Sequence, residues 1–492
     1  MILLLCREST LLEFHKFIFS YLHEQALSLS SPPTTGDLPK SKKPDLLQDP
    51  VGLTLYKTSV PTVIGAIATI LYYLADTWFV SLLGTRELAA LGFTFPPTIM
   101  IMYLGVGLGI GTSAMVARAI GARNLENATE MTFAAVVFGL LLGVCLIIPA
   151  LLSIDSVFTL LGADEETLVL IRQFMSFWYL GIPFLLIQFA GTAVMRASGN
   201  SSLQGRLMML GAALNAILDP MLIFGFGPIP AFGIRGAAIA TVITWIFSNV
   251  FIWYFLAVKE QIFKFIWPGL QKLINDWTRL LRITLPAALA NMITPLATAV
   301  ITATLAQYGA QAVAGFGVVM RMEALVMIVV LGMSMSLPPF ISQNFGANAI
   351  GRVRQGLKLS LQFVLVLQFI LYAVVALSAP WIARIFSSEA EVIEIIVTVL
   401  HILPASYAFQ GMVVLSASSF NALHAPRNAL LTSLMRFFIF YVPLALLGEN
   451  IAGIPGLFIG AAIGNLLSGL IITWWINRYT LALEAKAENL TY

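Results

Sequence analysis

Two aspartates lie inside long apolar segments of the sequence. Asp76 lies in "LYYLADTWFVSLLG" and Asp219 in "LNAILDPMLIFG". A charged side chain at the bilayer centre costs about 2.5–3.5 kcal/mol on insertion scales, so such a residue is expected to face the interior of a helix bundle. Burial favours the neutral form of a carboxyl group, and a second carboxylate nearby favours it further. The pair is therefore predicted to bind and release a proton, titrating as a unit.

Each aspartate has a polar neighbour on its own helix face. Tyr72 lies one turn before Asp76, and Asn215 lies one turn before Asp219. Pro220 has no backbone N–H, so the carbonyl of residue 216 loses its helical partner and becomes a further acceptor. The alternative interpretation is structural: a neutral aspartate can simply hydrogen-bond a neighbouring helix, and Asp-Pro can end one.

The composition indicates that the elements around these residues are membrane helices. Of 492 residues, 59% are hydrophobic and 10% are charged, and the mean hydropathy is +0.90. The apolar runs are continuous and about 20 residues long, as a spanning helix requires, whereas strands of a membrane barrel would alternate. The net charge is only +3, and the basic residues lie in short loops between the apolar runs. This distribution argues against nucleic acid as a partner.

The apolar runs predict an all-α membrane protein with about twelve transmembrane helices. We place these spans at residues 58–83, 93–119, 131–153, 168–192, 203–225, 235–257, 279–304, 315–341, 355–378, 392–416, 428–447 and 455–477.

Alternate loops are rich in lysine and arginine, and this distribution predicts the orientation. The basic loops carry Arg118 and Arg123, Arg196 and Arg206, Lys259 to Arg282, Arg352 to Lys358, and Arg427. We expect these loops and both termini on the cytoplasmic side of the inner (plasma) membrane.

The two halves of the chain repeat in one ungapped register. Pro61 aligns with Pro286, Gly84 with Gly309, Gly121 with Gly346, and "MRASGN" with "FNALHA", and the interval along the chain is the same for every pair. Because each half has an even number of spans, six, both halves enter the membrane from the same side. They are therefore predicted to form two pseudo-symmetric lobes around a central cleft. The predicted segments are a disordered N-terminal tail (1–50), the first lobe (51–257), a cytoplasmic linker (258–278), the second lobe (279–480) and a C-terminal tail (481–492).

Residues 50–480 resemble the multidrug and toxic compound extrusion (MATE) family. The resemblance is carried by "GLGIGTSAMVARAIGARN", by "MRASGNSSLQGRLMMLGAALNAILDPMLIFG", by "GIRGAAIAT" and by "MRMEAL" with "FISQNFGAN". The pattern is similar to the DNA-damage-inducible-protein-F-like branch, whose coupling site is an aspartate in helix one and another in helix five.

The resemblance implies roles for particular residues. The coupling aspartates correspond to Asp76 and Asp219, and the supporting polar residues correspond to Tyr72, Asn215 and Thr241. Helix one of the family bends at a proline that corresponds to Pro61. Pro220 is a second predicted hinge. The other large bacterial branch places acids in helices seven and ten, where this sequence has Asn291 and "FQGMVVLSASSF".

We predict a secondary antiporter, active as a monomer in the lipid bilayer, that exports amphipathic or cationic drugs by alternating access. The exchanged ion is a proton or Na⁺, since two carboxylates with neutral oxygens can hold either, and no cofactor or metal is expected. Phe93, Met102, Trp178 and Met195 are weak candidates for the substrate cleft, because aromatic rings and methionines adapt to varied apolar ligands.

Three alternatives remain. A lipid-linked oligosaccharide flippase of the same superfamily would be expected to line its cleft with several arginines, for which Arg118, Arg196 and Arg321 are the candidates; the first two resemble loop anchors. An intramembrane enzyme would need a nucleophile–base pair or a metal cluster, and neither spacing occurs. A channel is less compatible with a two-fold repeat.

The charge distribution yields a test of orientation. A cysteine at Lys272, in a background without Cys6 and Cys145, should resist an impermeant thiol reagent added outside intact cells. A cysteine at Glu389, in a loop poor in basic residues, should react. Ready labelling at position 272 with protection at position 389 would invert the predicted topology.

Overall fold

The computed structural model describes residues 44–265 and 267–488. Residues 1–43 of the predicted N-terminal tail therefore lie outside the described residues. Within them the chain is almost entirely helical. The helices are α1 (Val51–Ser81), α2 (Thr85–Gly121), α3 (Leu125–Leu160), α4 (Glu165–Leu180), α5 (Ile182–Ala197), α6 (Ser201–Ile223), α7 (Ile234–Tyr254), α8 (Leu270–Ala306), α9 (Ala310–Val326), α10 (Ile328–Gly346), α11 (Ile350–Phe386), α12 (Ala390–Ile402), α13 (Tyr407–Ala422), α14 (Pro426–Leu434) and α15 (Val442–Glu488).

Nine helical segments of the described chain are long and apolar enough to cross a membrane, or up to eleven if each bent pair is one span. The pairs are α4 with α5, bent by 47°, and α9 with α10, bent by 42°. The last segment, Pro426–Ala487, has 62 residues, far more than the roughly 20 that a span needs. It breaks at Ala452 and Gly453, which have non-helical backbone angles. Division at this break gives the twelve predicted spans.

The break within α15 resembles the loop that precedes α7. Gly453 has φ 61° and ψ −140°, and Gly233, at the start of α7, has φ 58° and ψ −140°. Glycine adopts this conformation without the clash that a β-carbon would cause. The chain after Gly453 is thus a separate helix, and it continues to Glu488 through residues 481–488 of the predicted C-terminal tail.

Short polar residues start several helices where the apolar runs begin. The side chains of Asn124, Asp164 and Asn200 each accept a hydrogen bond from the backbone N–H three residues later, at 2.9, 2.8 and 3.3 Å. These caps satisfy donors that the first turn leaves free. Large apolar side chains on the outer faces remain exposed, for example Leu152 (79%) and Leu377 (76%), as lipid-facing helices require.

The internal repeat is visible in the backbone. Arg123 and Asn348, which are repeat equivalents, both have left-handed φ values, of 56° and 59°. Gly199 (φ 82°) and His424 (φ 57°) form a second pair with the same separation. The conformations recur at the predicted spacing, which confirms the two pseudo-symmetric lobes.

The lobes contact each other through two crossings related by the repeat. At Gly107 of α2 a β-carbon would lie 2.9 Å from Cβ of Ala288 in α8. At Gly332 of α10 it would lie 3.0 Å from Cα of Val63 in α1. Gly332 and Val63 are the repeat equivalents of Gly107 and Ala288. Small residues let membrane helices approach closely, so both crossings depend on glycine.

The lobes also meet where the arginine-rich loops lie, which we call the basic end. The side-chain amide of Gln343 donates to the carbonyl of Ala197 at 2.6 Å. A β-carbon at Gly121 would collide with the carbonyl of Gln343, and one at Gly346 with the carbonyl of Arg118. Since Arg118 and Gln343 are repeat equivalents, this is one contact that occurs twice. It closes the cleft at the basic end.

Two segments outside the predicted lobes pack at the basic end. Within residues 44–50, which we assigned to the tail, Leu46 is buried and its carbonyl accepts hydrogen bonds from Asn344 (3.0 Å) and Arg352 (3.2 Å). The second half of the predicted linker is the first part of α8, and its Lys272 pairs with Glu130 at 2.6 Å. The predicted domain boundaries stay predictions.

Replacing Gly121 with alanine should open the basic end. Overpacking costs about 1–3 kcal/mol, so the closed population should fall about tenfold relative to the open one. Spin labels on cysteines at Glu126 and Gly351, which are exposed, would report a longer distance. The control is Gly92→Ala in the same helix, where a β-carbon meets nothing within 4 Å. Identical distance distributions for Gly121→Ala and Gly92→Ala would contradict this role.

The partly buried ring of His424, at the basic end, is expected to make the stability of the fold depend on pH. Its ring lies 3.2 Å (Nε2) from the carbonyl of Ala114. Burial, and secondarily Arg118, lower the pKa of His424 from 6.5 to about 4. The unfolded chain therefore binds the proton first, so stability is lost as pH falls from 6.5 towards 4.

One pKa unit corresponds to about 1.4 kcal/mol, so between pH 6.5 and about pH 5 the contribution lost is at most about 2 kcal/mol. His424→Asn, which tolerates the left-handed backbone, should remove it. The unfolding temperature of the variant should then fall less steeply with acidification than that of the wild type. Parallel curves would show that His424 carries no such linkage.

Candidate functional site

Helices α1 and α6 bring the two membrane aspartates to the same level of the first lobe. The helices run in the same direction and touch at Gly205, where a β-carbon would collide with the carbonyl of Pro61. Asp76 follows Pro61, and Asp219 follows Gly205, by nearly the same length of helix. At 1.5 Å per residue both carboxylates lie about 21–23 Å from this contact. Sequence spacing and close packing thus place them side by side.

The two carboxylates are buried and short of hydrogen-bond partners. Asp76 is 8% exposed and Asp219 is fully buried. One oxygen of Asp76 and both oxygens of Asp219 make no hydrogen bond of ordinary geometry to a described residue, although the side chain of Asn215 lies close enough to interact with the Asp219 carboxylate. The two groups lie close enough to interact electrostatically, and no lysine or arginine of the described chain forms an ion pair with either. Two adjacent unpaired charges would be costly there.

The predicted supporting residues surround this pair. The hydroxyl of Tyr72 lies 3.2 Å from the hydroxyl of Thr241 in α7, and Tyr72 interacts electrostatically with both aspartates. Asn215 is completely buried one turn before Asp219. The structure therefore brings together all five residues predicted for ion coupling, and their role stays a prediction.

The two predicted hinge prolines occupy different settings. Pro61 lies within α1, where its carbonyl meets Gly205. Pro220 lies three residues before the end of α6, and its carbonyl accepts from the N–H of Phe224 at 3.1 Å. Both helices continue through their proline. A bending role for either proline remains a prediction.

The four weak cleft candidates lie in or beside hydrophobic cores. Trp178 is 5% exposed and packs edge-on against Trp245, with 5.5 Å between ring centroids. Met195 is fully buried in another cluster of the first lobe. Phe93 and Met102 pack against the core that contains Trp178. None of the four lines the three cavities found among the described residues.

Two cavities between the lobes do form a cleft. The larger, of about 750 Å³, lies in the half away from the basic end and is lined by Tyr103, Pro295 and Met320, among others. The second, of about 250 Å³, lies deeper and receives residues from both lobes. Thr294 lines both cavities, so they adjoin one another.

Of the two charged residues of the deeper cavity, Arg436 was not predicted from the sequence, and Arg196 was considered only under the flippase alternative. Arg196 and Arg436 both line it, and each is only 7% exposed. Arg196 resembles a loop anchor in the sequence, because it lies in a basic loop between two predicted spans. Arg436 lies inside the predicted span 428–447, and a charged residue within a span was the signal that could have revealed it. Asn291, in the second lobe, also lines this cavity.

Glu323 belongs to a polar cluster in the second lobe. It accepts hydrogen bonds from Gln410 at 2.7 Å and from Tyr407 at 3.4 Å. The cluster extends through Arg436, whose Nε donates to Asn465 at 3.1 Å. These contacts satisfy buried polar groups and link helices α9, α13 and α15.

Two lobes of membrane helices around a cleft, with ionisable groups in the membrane interior, define a membrane transporter. The MatE family model matches residues 61–221 and again residues 286–447. The chain belongs to the MATE family of transporters. The two matches begin at Pro61 and Pro286, the first pair of the predicted repeat.

Relatives and solved structures are similar over almost the whole chain. A protein named FAD transporter from Shewanella oneidensis is 40% identical over 444 residues, which cover 90% of this chain and 98% of that protein. The multidrug export protein MepA of Staphylococcus aureus is 25% identical over 428 residues, covering 86% of this chain and 93% of that protein. The crystal structure of the Vibrio cholerae MATE transporter VcmN in the bent form matches with a TM-score of 0.84 and 34% identity, covering 89% of this chain and 98% of that chain.

Proposed function

We propose that the protein is a secondary antiporter that exports organic compounds across the inner membrane in exchange for protons. The observation that carries the proposal is the buried pair of Asp76 and Asp219, three of whose four carboxylate oxygens make no hydrogen bond of ordinary geometry to a described residue. Such a pair is stable when at least one group holds a proton, since protonation removes a buried charge and adds a donor. A proton taken up on one side of the membrane and released on the other would then accompany each cycle.

The lobe arrangement supports alternating access. The basic end is closed by Gln343 and the paired glycines, while the cleft widens into the larger cavity toward the opposite end. With the basic end in the cytoplasm, as the lysine and arginine distribution predicts, this conformation presents the cleft to the outside. Protonation favours one of the two lobe arrangements, and a substrate must favour the other for exchange to occur.

The relatives suggest two kinds of cargo. MepA is named for multidrug export, which supports the drug-like compounds expected from the sequence. The more similar relative is named for FAD, a large anionic molecule with aromatic rings. The flippase alternative called for several arginines: Arg196 and Arg436 line the deeper cavity, and Arg118 and Arg279 line a separate cavity at the basic end. We therefore propose aromatic organic compounds as the exported cargo class.

The decisive variant is Asp76→Asn, which keeps the size and polarity of the side chain but cannot titrate. It should fold normally and still bind substrate, because the cleft is unchanged. Its efflux in proteoliposomes under an imposed pH gradient should fall at least about tenfold, to the passive level, and Asp219→Asn should behave alike. Substrate binding by the wild type should weaken as pH falls, because protonation favours release, and this dependence should flatten in Asp76→Asn.

The matched control is Asp155→Asn, which alters an exposed carboxylate paired with Arg172 and should pump normally. The same vesicles, tested with a Na⁺ gradient alone, separate the two candidate ions. Pumping by Asp76→Asn at the wild-type rate would show that the carboxylate serves only packing or hydrogen bonding.

A further inference from the structure

The deeper inter-lobe cavity has a one-sided charge. Its described lining includes residues of α2 and α5 from the first lobe and of α8, α10 and α13 from the second. Arg196 and Arg436 are the charged members of this lining, and it contains no aspartate or glutamate. A cationic drug would meet like charge here, whereas an anion would meet two guanidinium groups.

Arg196 has no counter-charge of its own within the described structure. It belongs to none of the ion pairs found there, although only 7% of it is exposed. Its guanidinium lies against α2, where a β-carbon at Gly109 would be 3.9 Å from Nη2. Burying an unpaired charge is energetically costly, and this cost falls when an anion enters the cavity.

Arg436 is held in place by the second lobe. Its Nε donates to Asn465 at 3.1 Å, and its guanidinium lies over the rings of Phe437 (4.5 Å) and Tyr441 (5.9 Å). Glu323 interacts with it electrostatically, but that carboxylate is engaged by Gln410 and Tyr407 and does not line the cavity. The other N–H groups of this guanidinium make no hydrogen bond to a described residue, and Arg436 lines the cavity.

The chemistry of this lining selects a ligand class. A guanidinium presents a planar fork of donors that matches phosphate oxygens. Phe189 and Phe437 add aromatic surface to the same cavity, and the adjoining chamber offers Tyr103, Pro295 and Met320. A molecule that carries both an aromatic ring system and phosphate would therefore use every kind of group present.

We propose that Arg196 and Arg436 form the phosphate-binding part of the substrate site, and that the exported compounds include aromatic phosphates of the flavin-nucleotide class. The inference rests on the proposed function, because it assigns a cargo to the same cleft. The phosphate lies between the two lobes, and the rings extend past Thr294 into the larger chamber. One arginine comes from each lobe, so the ligand bridges them.

Binding of FAD, FMN and riboflavin to the purified full-length protein in lipid nanodiscs tests the proposal, with flavin fluorescence as the signal. The wild type should bind FAD and FMN more tightly than riboflavin, which has no phosphate. Arg196→Gln should weaken FAD and FMN binding about tenfold or more, as expected for a lost charge-assisted contact, and should leave riboflavin binding unchanged. Arg196→Lys should recover part of the loss, because the charge returns without the fork.

Arg436→Gln should likewise weaken FAD and FMN binding. Arg436→Lys keeps the positive charge and serves as a control for misfolding caused by loss of the hydrogen bond to Asn465. The ratio of FAD to riboflavin affinity within each variant does not depend on the folded fraction. The control is Arg206→Gln, which alters an exposed arginine of α6 and should change nothing. Equal losses for FAD and riboflavin in both arginine variants would show a packing role and overturn the proposal.

Two further outcomes separate this inference from its alternatives. The first outcome compares nanodiscs of anionic lipid with nanodiscs of zwitterionic lipid. If anionic lipid binds in an Arg196-dependent way and flavin nucleotides do not, the site takes a lipid headgroup and the proposal fails. Efflux of a cationic dye driven by a pH gradient, with no arginine-dependent flavin binding, would leave the antiporter intact and reject the anion site. Arginine-dependent FAD binding without proton-driven efflux of any cargo would reject the antiporter instead.

Discussion

The close approach of glycine-bearing helices at the lobe interface is the constraint on which the rest of the structure depends. In a bilayer, lipid is as apolar as the helices, so hydrophobic burial does not hold two lobes together and fitted packing must. Gly107 and Gly332 allow one crossing in each half, and Gly121 and Gly346 close the basic end. These contacts extend from the basic end to about the middle of α2, and the larger cavity lies beyond them, where the lobes leave a cleft.

The ionisable groups of the interior are separated by function within this frame. The acidic pair lies inside the first lobe, between α1 and α6, whereas the arginines lie at the boundary between lobes. Had they been adjacent, Asp76 and Arg196 would neutralise each other and neither a proton nor an anion would be needed. Under the two proposals, this separation leaves the acidic pair free to bind a proton and Arg196, which forms no ion pair in the described structure, free to bind an anion.

Much of this architecture could be predicted from the sequence. The residues that line the cleft could not, for a physical reason. Continuous apolar runs, matching glycines and the scarcity of carboxylates predicted the spans, the repeat and the proximity of Asp76 and Asp219. The cleft lining did not follow, because a membrane helix is apolar on both its lipid face and its packed face, so periodicity does not distinguish them. Trp178 and Met195 consequently fell in cores. Arg436 was overlooked although its charge inside a span marked it, and Arg196 because it ends a helix.

The two crossings between the lobes are equivalent in position but not in chemistry. Where α1 meets α10, the hydroxyls of Ser59 and Ser336 lie 2.7 Å apart. The equivalent positions are Thr284 and Gly111, and there the threonine hydroxyl has no partner in the described structure. If the lobes rock as alternating access proposes, the motion would carry or break a hydrogen bond at the α1–α10 crossing, whereas the described residues show none at the equivalent position of the α2–α8 crossing. The pivot is expected to lie off-centre, nearer to α1, so the lobe that holds the aspartates turns about its own first helix while α2 slides along α8.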